Sequence, residues 1–210
     1  MERSWRDTLK ERSKVAALVY GLALITFFIL YLPYFFGQVI DPKPGWLLHD
    51  VVLNYLKPIN NSWLIFTLIY ICILQTIVTN FKKPEVILLG LVTYCSVSLV
   101  RMLTIYVFTL EPPLGLIPLI DPFVSLIAYD SNFTKDLFFS GHVSTLTMLI
   151  LVEPQRQLKF LKIGATVAVS ILLLFQHIHY TIDVLFAPII SIFLYRIMGS
   201  IFSLRTSIAK

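Results

Sequence analysis

Residues Val15–Phe36 read VAALVYGLALITFFILYLPYFF, a run of 22 residues without a charged side chain. A helix needs about 20 apolar residues to cross the hydrocarbon core of a bilayer, so this run predicts a membrane-spanning helix. No small-residue cleavage site follows it, which favours a retained first span over a removed signal peptide.

Further apolar segments follow along the whole chain, and each is bounded by prolines, glycines or charged residues. Five of them are predicted spans: Trp63–Val78, Val86–Thr109, Leu137–Val152, Leu161–Phe175 and Ile182–Leu204. Hydrophobic residues make up 57% of the 210 residues, more than a water-soluble domain of this length could bury. The predicted fold is an all-α membrane bundle of about six transmembrane helices. It forms one integral membrane domain over residues 1–210, with residues 1–14 as a cytoplasmic segment.

The basic residues predict the orientation of the bundle. Six spans put the N-terminus, the second and fourth loops and the C-terminus on one side, and that side carries twelve lysines and arginines: Arg3, Arg6, Lys10, Arg12, Lys14, Lys82, Lys83, Arg156, Lys159, Lys162, Arg205 and Lys210. The opposite side carries only Lys43, Lys57 and Lys135. The positive-inside rule therefore places both termini in the cytoplasm. It places the histidines and most acidic loop residues, Asp130 among them, at the extracytoplasmic face.

The composition gives less support to two other interpretations, a nucleic-acid-binding protein and a disulfide-stabilised protein. The net charge of +5 could suggest nucleic acid, but the basic residues lie at the ends of apolar runs and form no stripe with interleaved aromatic residues. Cys72 and Cys95 lie inside apolar runs, so we expect buried thiols and no disulfide framework. The expected partners are membrane phospholipids or sphingolipids. The sequence does not predict an oligomeric state.

Two polar clusters lie at the predicted outer ends of the later spans. The first is Asp136-Leu-Phe-Phe-Ser140-Gly141-His142, and the second runs from Gln176 to Asp183. We expect His142 and His179 to meet across the bundle. His179 and Asp183 are four apart, a spacing that puts side chains on one face of a helix. Asp183 could then hold one ring nitrogen of His179 and leave the other as a nucleophile.

Neighbouring residues complete the expected site. His142 could protonate a leaving oxygen as a general acid. Ser140 and Gly141 would let backbone N–H groups approach a phosphate oxygen at a helix start. Arg101, deep in the third span, needs either a bound phosphate or a structural carboxylate partner.

Other polar and aromatic residues have plainer interpretations. His49 and His177 are expected to be solvent-exposed residues at the membrane interface. Tyr70 is expected to be a membrane anchor or a packing residue. His177 and His179 are two apart, which does not suit zinc ligands on a helix, so no metal and no cofactor are expected.

The combination of Ser140-Gly141-His142 with His179-Tyr180-Thr181-Ile182-Asp183-Val184 resembles the type 2 phosphatidic acid phosphatase superfamily. The likeness is greatest to its sphingomyelin synthase-like branch, because an aspartate, Asp136, precedes the first histidine by six residues. Upstream residues match that branch too: Arg101, Thr104, Thr109-Leu110 and Pro112.

The resemblance implies roles for these residues. His179 forms a phosphohistidine, Asp183 orients it, and His142 protonates the departing alcohol and later activates the acceptor hydroxyl. Substrate or phosphate contacts are implied for five residues: Arg101, Asp136, Ser140, Gly141 and Tyr180.

This chain also departs from the family patterns. The K-x-x-x-x-x-x-R-P motif of the phosphatase branch is absent, and Leu172 and Leu173 stand at its S-R positions. Thr134 and Lys135 replace the C-G of the synthases, and Ile192 stands where they carry an arginine. The predicted function is a lipid phosphotransferase acting at the extracytoplasmic face. The alternatives are a lipid phosphate phosphatase with water as acceptor, and a non-catalytic lipid-binding or transport protein.

Overall fold

The computed structural model describes residues 4–121 and 134–204, and in these ranges the chain is mainly helical. Asp130, Arg3, Arg205 and Lys210, which entered the predictions above, lie outside the described residues. The α-helices are α1 (Trp5–Thr8), α2 (Arg12–Tyr34), α3 (Val51–Tyr55), α4 (Ser62–Asn80), α5 (Pro84–Val107), α6 (Gly141–Val152), α7 (Arg156–Phe175) and α8 (Thr181–Ile201). A π-helix, Phe35–Ile40, continues α2.

Among the described residues, five helices are long and apolar enough to cross a membrane: α2 with its π-helical continuation, α4, α5, α7 and α8. This confirms the predicted all-α, polytopic membrane bundle.

Helix α6 corrects the prediction of a fourth span over Leu137–Val152. The helix begins only at Gly141 and has 12 residues, or about 18 Å of length. Its start is fixed by Ser140, whose hydroxyl accepts a hydrogen bond from the Val143 N–H. Residues 137–139 are apolar but not helical, because a hydrophobic pattern does not distinguish a buried irregular segment from a helix.

The bundle has two distinct ends. At one end, the Trp5 indole donates to Phe81 O at 2.8 Å, and Lys14 donates to Phe202 O and Ser203 O. At the other end, Ile59 N donates to Phe175 O at 2.9 Å. The first and last described residues therefore lie at the same end, as an even number of crossings requires. The side of the membrane that this end faces stays a prediction from loop charge.

Helix α6 packs against α4, α5, α7 and α8, so its side chains form much of the core. Val143, Leu146 and Val152 are almost completely buried, and the core residues around them include Leu88 and Val92 of α5. Both cysteines are buried and free, in agreement with the sequence prediction. The packing of α6 leaves Gly141 and His142 at its start half-buried, next to the bundle interior.

Candidate active site

A backbone hydrogen bond joins the starts of α6 and α8. Ser140 N donates to Asp183 O at 3.1 Å, which brings together the two segments that carry the polar clusters. The ring centroids of His142 and His179 are 6.3 Å apart as a result. The structure therefore places the two histidines side by side, although 37 residues of sequence separate them.

His179 and Asp183 form a buried pair. Their Nδ1 and Oδ2 atoms are 3.4 Å apart, and the side chains are 2% and 0% exposed. The expected helical spacing is not the cause, because His179 precedes α8, whose N-cap is Tyr180. Instead, Asp183 Oδ2 accepts the Tyr180 N–H at 3.0 Å, and this turn at the helix start brings the carboxylate to His179. An acidic residue in the first turn of a helix commonly bonds the N-cap amide in this way.

Arg101 is held by the segment that precedes α6. Its Nε donates to Phe139 O and its Nη2 to Asp136 Oδ1, both at 2.7 Å. A carboxylate partner is therefore present, which was one of the two alternatives left open by the sequence. Burial raises the pKa of Asp136, but the Arg101 guanidinium outweighs this effect and holds that pKa below its usual range. Since an anionic carboxylate repels phosphate, Asp136 can contribute to phosphate binding only through Arg101.

The Arg101 guanidinium also lies against Gly141. A Cβ atom added at Gly141 would lie 2.5 Å from Arg101 Nη1, closer than two such atoms can approach. Any other residue at position 141 would displace the guanidinium or the start of α6. The glycine of the S-G-H sequence thus places Arg101 beside the first turn that carries His142.

A cavity of about 450 Å³ opens beside these residues, and its lining includes Arg101, Asp136, Gly141 and His142. Tyr70 and Asp121 also line it, and the Tyr70 hydroxyl is 2.8 and 2.7 Å from the two Asp121 carboxylate oxygens. Phe66 lies in the wall with its ring centroid 5.7 Å from that of His142. The cavity therefore holds a guanidinium, an imidazole, two carboxylates and aromatic rings.

The remaining residues of the expected site do not line this cavity, and His179 and Asp183 lie behind His142. The Ser140 side chain is fully buried and caps α6. Tyr180 is 1% exposed, and its hydroxyl donates to Glu111 O at 2.9 Å and accepts from Leu48 N at 3.3 Å. Their observed contacts support the backbone around the histidines.

The other two histidines are separate from the pair. His177 is buried and not solvent-exposed as expected. Its Nδ1 is 2.8 Å from Leu114 O and its Nε2 is 3.2 Å from Leu56 O. It joins two loops at this end of the bundle. His49 is nearer the surface, with Nε2 3.2 Å from the side-chain nitrogen of Asn54.

Sequence reasoning missed Tyr70 and Asp121 as cavity residues. Tyr70 was expected to be an anchor or packing residue, because an aromatic residue in a span carries no signal of a polar contact. Its partner is 51 residues away. An acidic residue next to a proline-rich loop was the only sign of Asp121.

Metal coordination finds no support among residues 4–121 and 134–204, where no three His, Cys, Asp or Glu side chains are grouped as ligands. Metal independence stays a prediction.

Comparison with known proteins adds one positive finding. No curated protein matches this chain. Residues 135–200 match the family model described as PAP2 superfamily C-terminal. The matched stretch contains Asp136, His142, His179 and Asp183. Residues 135–200 are therefore similar to the C-terminal region of the PAP2 superfamily, and this similarity supports a relationship to that superfamily.

Proposed function

We propose that this protein is a lipid phosphotransferase that moves a phospho-head group between membrane lipids at the extracytoplasmic face. The family match supports a phosphatase or phosphotransferase acting on lipids. The observation that carries the finer proposal is the His142–His179–Asp183 cluster, in which His142 lines a cavity together with Arg101 and lies next to His179.

The first half-reaction breaks the bond between phosphorus and the donor alcohol. Because Nδ1 of His179 faces Asp183, Nε2 is the nitrogen left to attack phosphorus. The new N–P bond forms as the P–O bond breaks, and His142 gives its proton to the departing oxygen. The Asp183 carboxylate stabilises the positive charge that develops on the His179 ring. Arg101 and the N–H groups of Gly141 and His142, which begin α6 and have no intrahelical acceptor, would bind the phosphoryl oxygens.

The second half-reaction reverses these roles. An acceptor hydroxyl attacks the phosphorus, His142 removes its proton, and the N–P bond breaks to restore His179. The acceptor, either a lipid hydroxyl or water, decides between transfer and hydrolysis. The residues that line the cavity determine which donor and acceptor can bind there.

The charges around the cavity favour a phosphodiester donor. A phosphate monoester carries close to two negative charges and favours several basic partners, whereas a diester carries one. Of the lining residues within 4–121 and 134–204, Arg101 alone is a lysine or arginine, and Asp136 already pairs with it. Lys135, the nearest basic residue in sequence to Asp136, bonds Glu111 Oε1 at 2.9 Å instead.

Asp121 and the aromatic rings suit a further part of such a donor. A cavity lined by a carboxylate and by the aromatic rings of Phe66, Tyr70 and Tyr94 is an environment that attracts an ammonium group. A zwitterionic head group would place its phosphate at Arg101 and its amine towards Asp121.

A transfer assay tests this function. Purified protein in vesicles receives a phosphodiester lipid labelled in its head group, with or without a diacylglycerol- or ceramide-like acceptor, and mass spectrometry identifies the products. We expect a new labelled phosphodiester only when the acceptor is present, no product from a His179→Ala variant, and normal turnover by a His49→Ala control. Phosphate release from monoesters alone would identify a phosphatase. Absence of any reaction would favour a non-catalytic lipid-binding protein.

A further inference from the structure

Asp50 joins two helix starts that are far apart in the sequence. It is the N-cap of α3, where its Oδ1 accepts from Val52 N at 2.9 Å and Leu53 N at 3.3 Å. The same carboxylate reaches across to α8. Its Oδ2 accepts the Thr181 N–H at 2.6 Å, and its Oδ1 accepts the Thr181 hydroxyl at 3.0 Å.

The contact with Thr181 lies between the two members of the buried pair. Thr181 is the first residue of α8, two positions after His179 and two before Asp183. Burial raises the pKa of Asp50, but the hydrogen bonds from Thr181 outweigh it, and the pKa lies below its usual range. Asp50 is therefore a carboxylate at neutral pH.

Two consecutive amides at the start of α8 thus bond two different carboxylates. Tyr180 N–H donates to Asp183, and Thr181 N–H donates to Asp50. N–H groups in the first turn of a helix have no intrahelical acceptor and need one from elsewhere. Without Asp50, the Thr181 N–H would compete for the Asp183 carboxylate and draw it away from His179.

We propose that Asp50 is a positioning residue, which keeps the Asp183 carboxylate facing His179 by accepting the Thr181 N–H and hydroxyl. The inference rests on the proposed function, because it assigns Asp50 a part in the same His179 chemistry. Asp50 itself contacts neither histidine ring in the described part of the chain. A role limited to stability would leave the turnover of the folded enzyme unchanged, whereas a positioning role lowers it.

The Asp50→Asn variant isolates this contact. An asparagine oxygen that continues to cap α3 turns the side-chain NH₂ towards the Thr181 N–H, so a hydrogen bond is replaced by two facing donors. We expect kcat to fall by about tenfold, because misplacement of a catalytic group is costly even when it is small. KM for the donor lipid should change by less than about twofold, since the cavity lining is untouched.

A control variant separates positioning from loss of stability. Asn54→Ala changes the same short helix α3 but leaves the contact with Thr181 intact, so it should keep the wild-type kcat. The melting temperatures of the two variants, measured in detergent, should be similar. A kcat loss shared equally by Asn54→Ala would overturn the inference.

Variants at Thr181 test the same contact from its other side. Thr181→Ser keeps both donors and should retain the wild-type kcat, whereas Thr181→Val removes only the hydroxyl and should lower kcat by about threefold. If Asp50→Asn does not fold, the two Thr181 variants still test the positioning role of Asp50. Equal kcat values for the two Thr181 variants, or an unchanged kcat in a folded Asp50→Asn protein, would overturn the positioning role alone. A wild-type protein inactive on every lipid would overturn the proposed function and this inference with it.

Discussion

The two ends of the helix bundle both bury charged and polar side chains, but they differ in how completely those side chains are hydrogen-bonded or ion-paired. At the end that contains the chain's first described residues, Glu153 and Lys162 form an ion pair in which both side chains are 0% exposed. Glu153 also accepts from Gln155 N at 3.1 Å. At the histidine end, three buried atoms of titratable groups have no hydrogen bond within the described residues: His142 Nδ1, His179 Nδ1 and Asp183 Oδ1.

This difference distinguishes structural polar groups from reactive ones. An unsatisfied buried polar atom costs roughly 1–3 kcal/mol, so proteins retain few of them. The unsatisfied side-chain atoms near the other end belong to neutral groups: Thr8, Gln75 and Asn80. At the histidine end they belong to the three groups of the proposed reaction: the acid–base His142, the nucleophile His179 and its partner Asp183. Incomplete hydrogen bonding next to a cavity therefore marks the site more clearly than burial alone.

The largest expected contrast between the ends is their accessibility in intact cells. A cysteine at Lys57, at the histidine end, should react with an impermeant thiol reagent, and a cysteine at Arg156 should not react. Both positions are exposed, whereas the native Cys72 and Cys95 are buried and give little background. Labelling of the Arg156 position alone would reverse the orientation and place the reaction in the cytoplasm.

Catalysis should depend almost entirely on the histidine end. The His179→Ala variant removes the nucleophile, so turnover should fall by more than about a thousandfold, as in other enzymes that lose a covalent nucleophile. Because the change also leaves a cavity beside the buried Asp183, turnover is compared per folded molecule. A rate within about tenfold of the wild type would show that His179 is not the nucleophile.

Stability should depend on the opposite end. Lys162→Met leaves Glu153 as an unpaired buried charge, which costs about 3–5 kcal/mol in the free energy of unfolding. Adding Glu153→Gln should recover most of this loss, because no charge then remains buried. Unfolding in detergent measures both effects, and turnover per folded molecule should be unchanged. A Lys162→Met protein that is stable but inactive would contradict the division of roles between the two ends.

A smaller effect on turnover is expected at Gly141, which lies against Arg101 at the start of α6. Gly141→Ala places a Cβ against the Arg101 guanidinium, so we expect turnover to fall by about ten- to a hundredfold through displacement of Arg101. Gly164→Ala is a matched control, because nothing lies within 4 Å of a Cβ at that position. Equal turnover by the two variants would show that the position of Arg101 is unimportant.

Much of the fold could be predicted from the sequence because the length of an apolar run, which indicates a membrane span, is set by consecutive residues. The predicted spans Trp63–Val78 and Val86–Thr109 correspond to Ser62–Asn80 and Pro84–Val107 in the structure. Residues 137–139 were wrongly included in a helix because their packing inside the bundle is a tertiary property.

The site could be predicted only in part. His142, His179 and Asp183 follow from a motif, but their contact depends on the hydrogen bond from Ser140 N to Asp183 O. The bond from Thr181 to Asp50 spans 131 residues. Such contacts between distant segments leave no periodic pattern in a single sequence.

The shortness of α6 has a consequence for where the lipid must go. A bilayer's hydrocarbon layer is about 30 Å thick, so a helix of about 18 Å that ends near one surface begins well short of the other. Helix α6 ends at Val152, next to the Glu153–Lys162 pair and the exposed Gln155. The first turn of α6, with His142, is then recessed in a well below the level of the surrounding head groups. A lipid must sink or tilt its phosphate to reach it, which costs more in a thicker membrane. Turnover in vesicles should therefore decline as acyl chains lengthen, and a rate independent of chain length would show that the well is shallow.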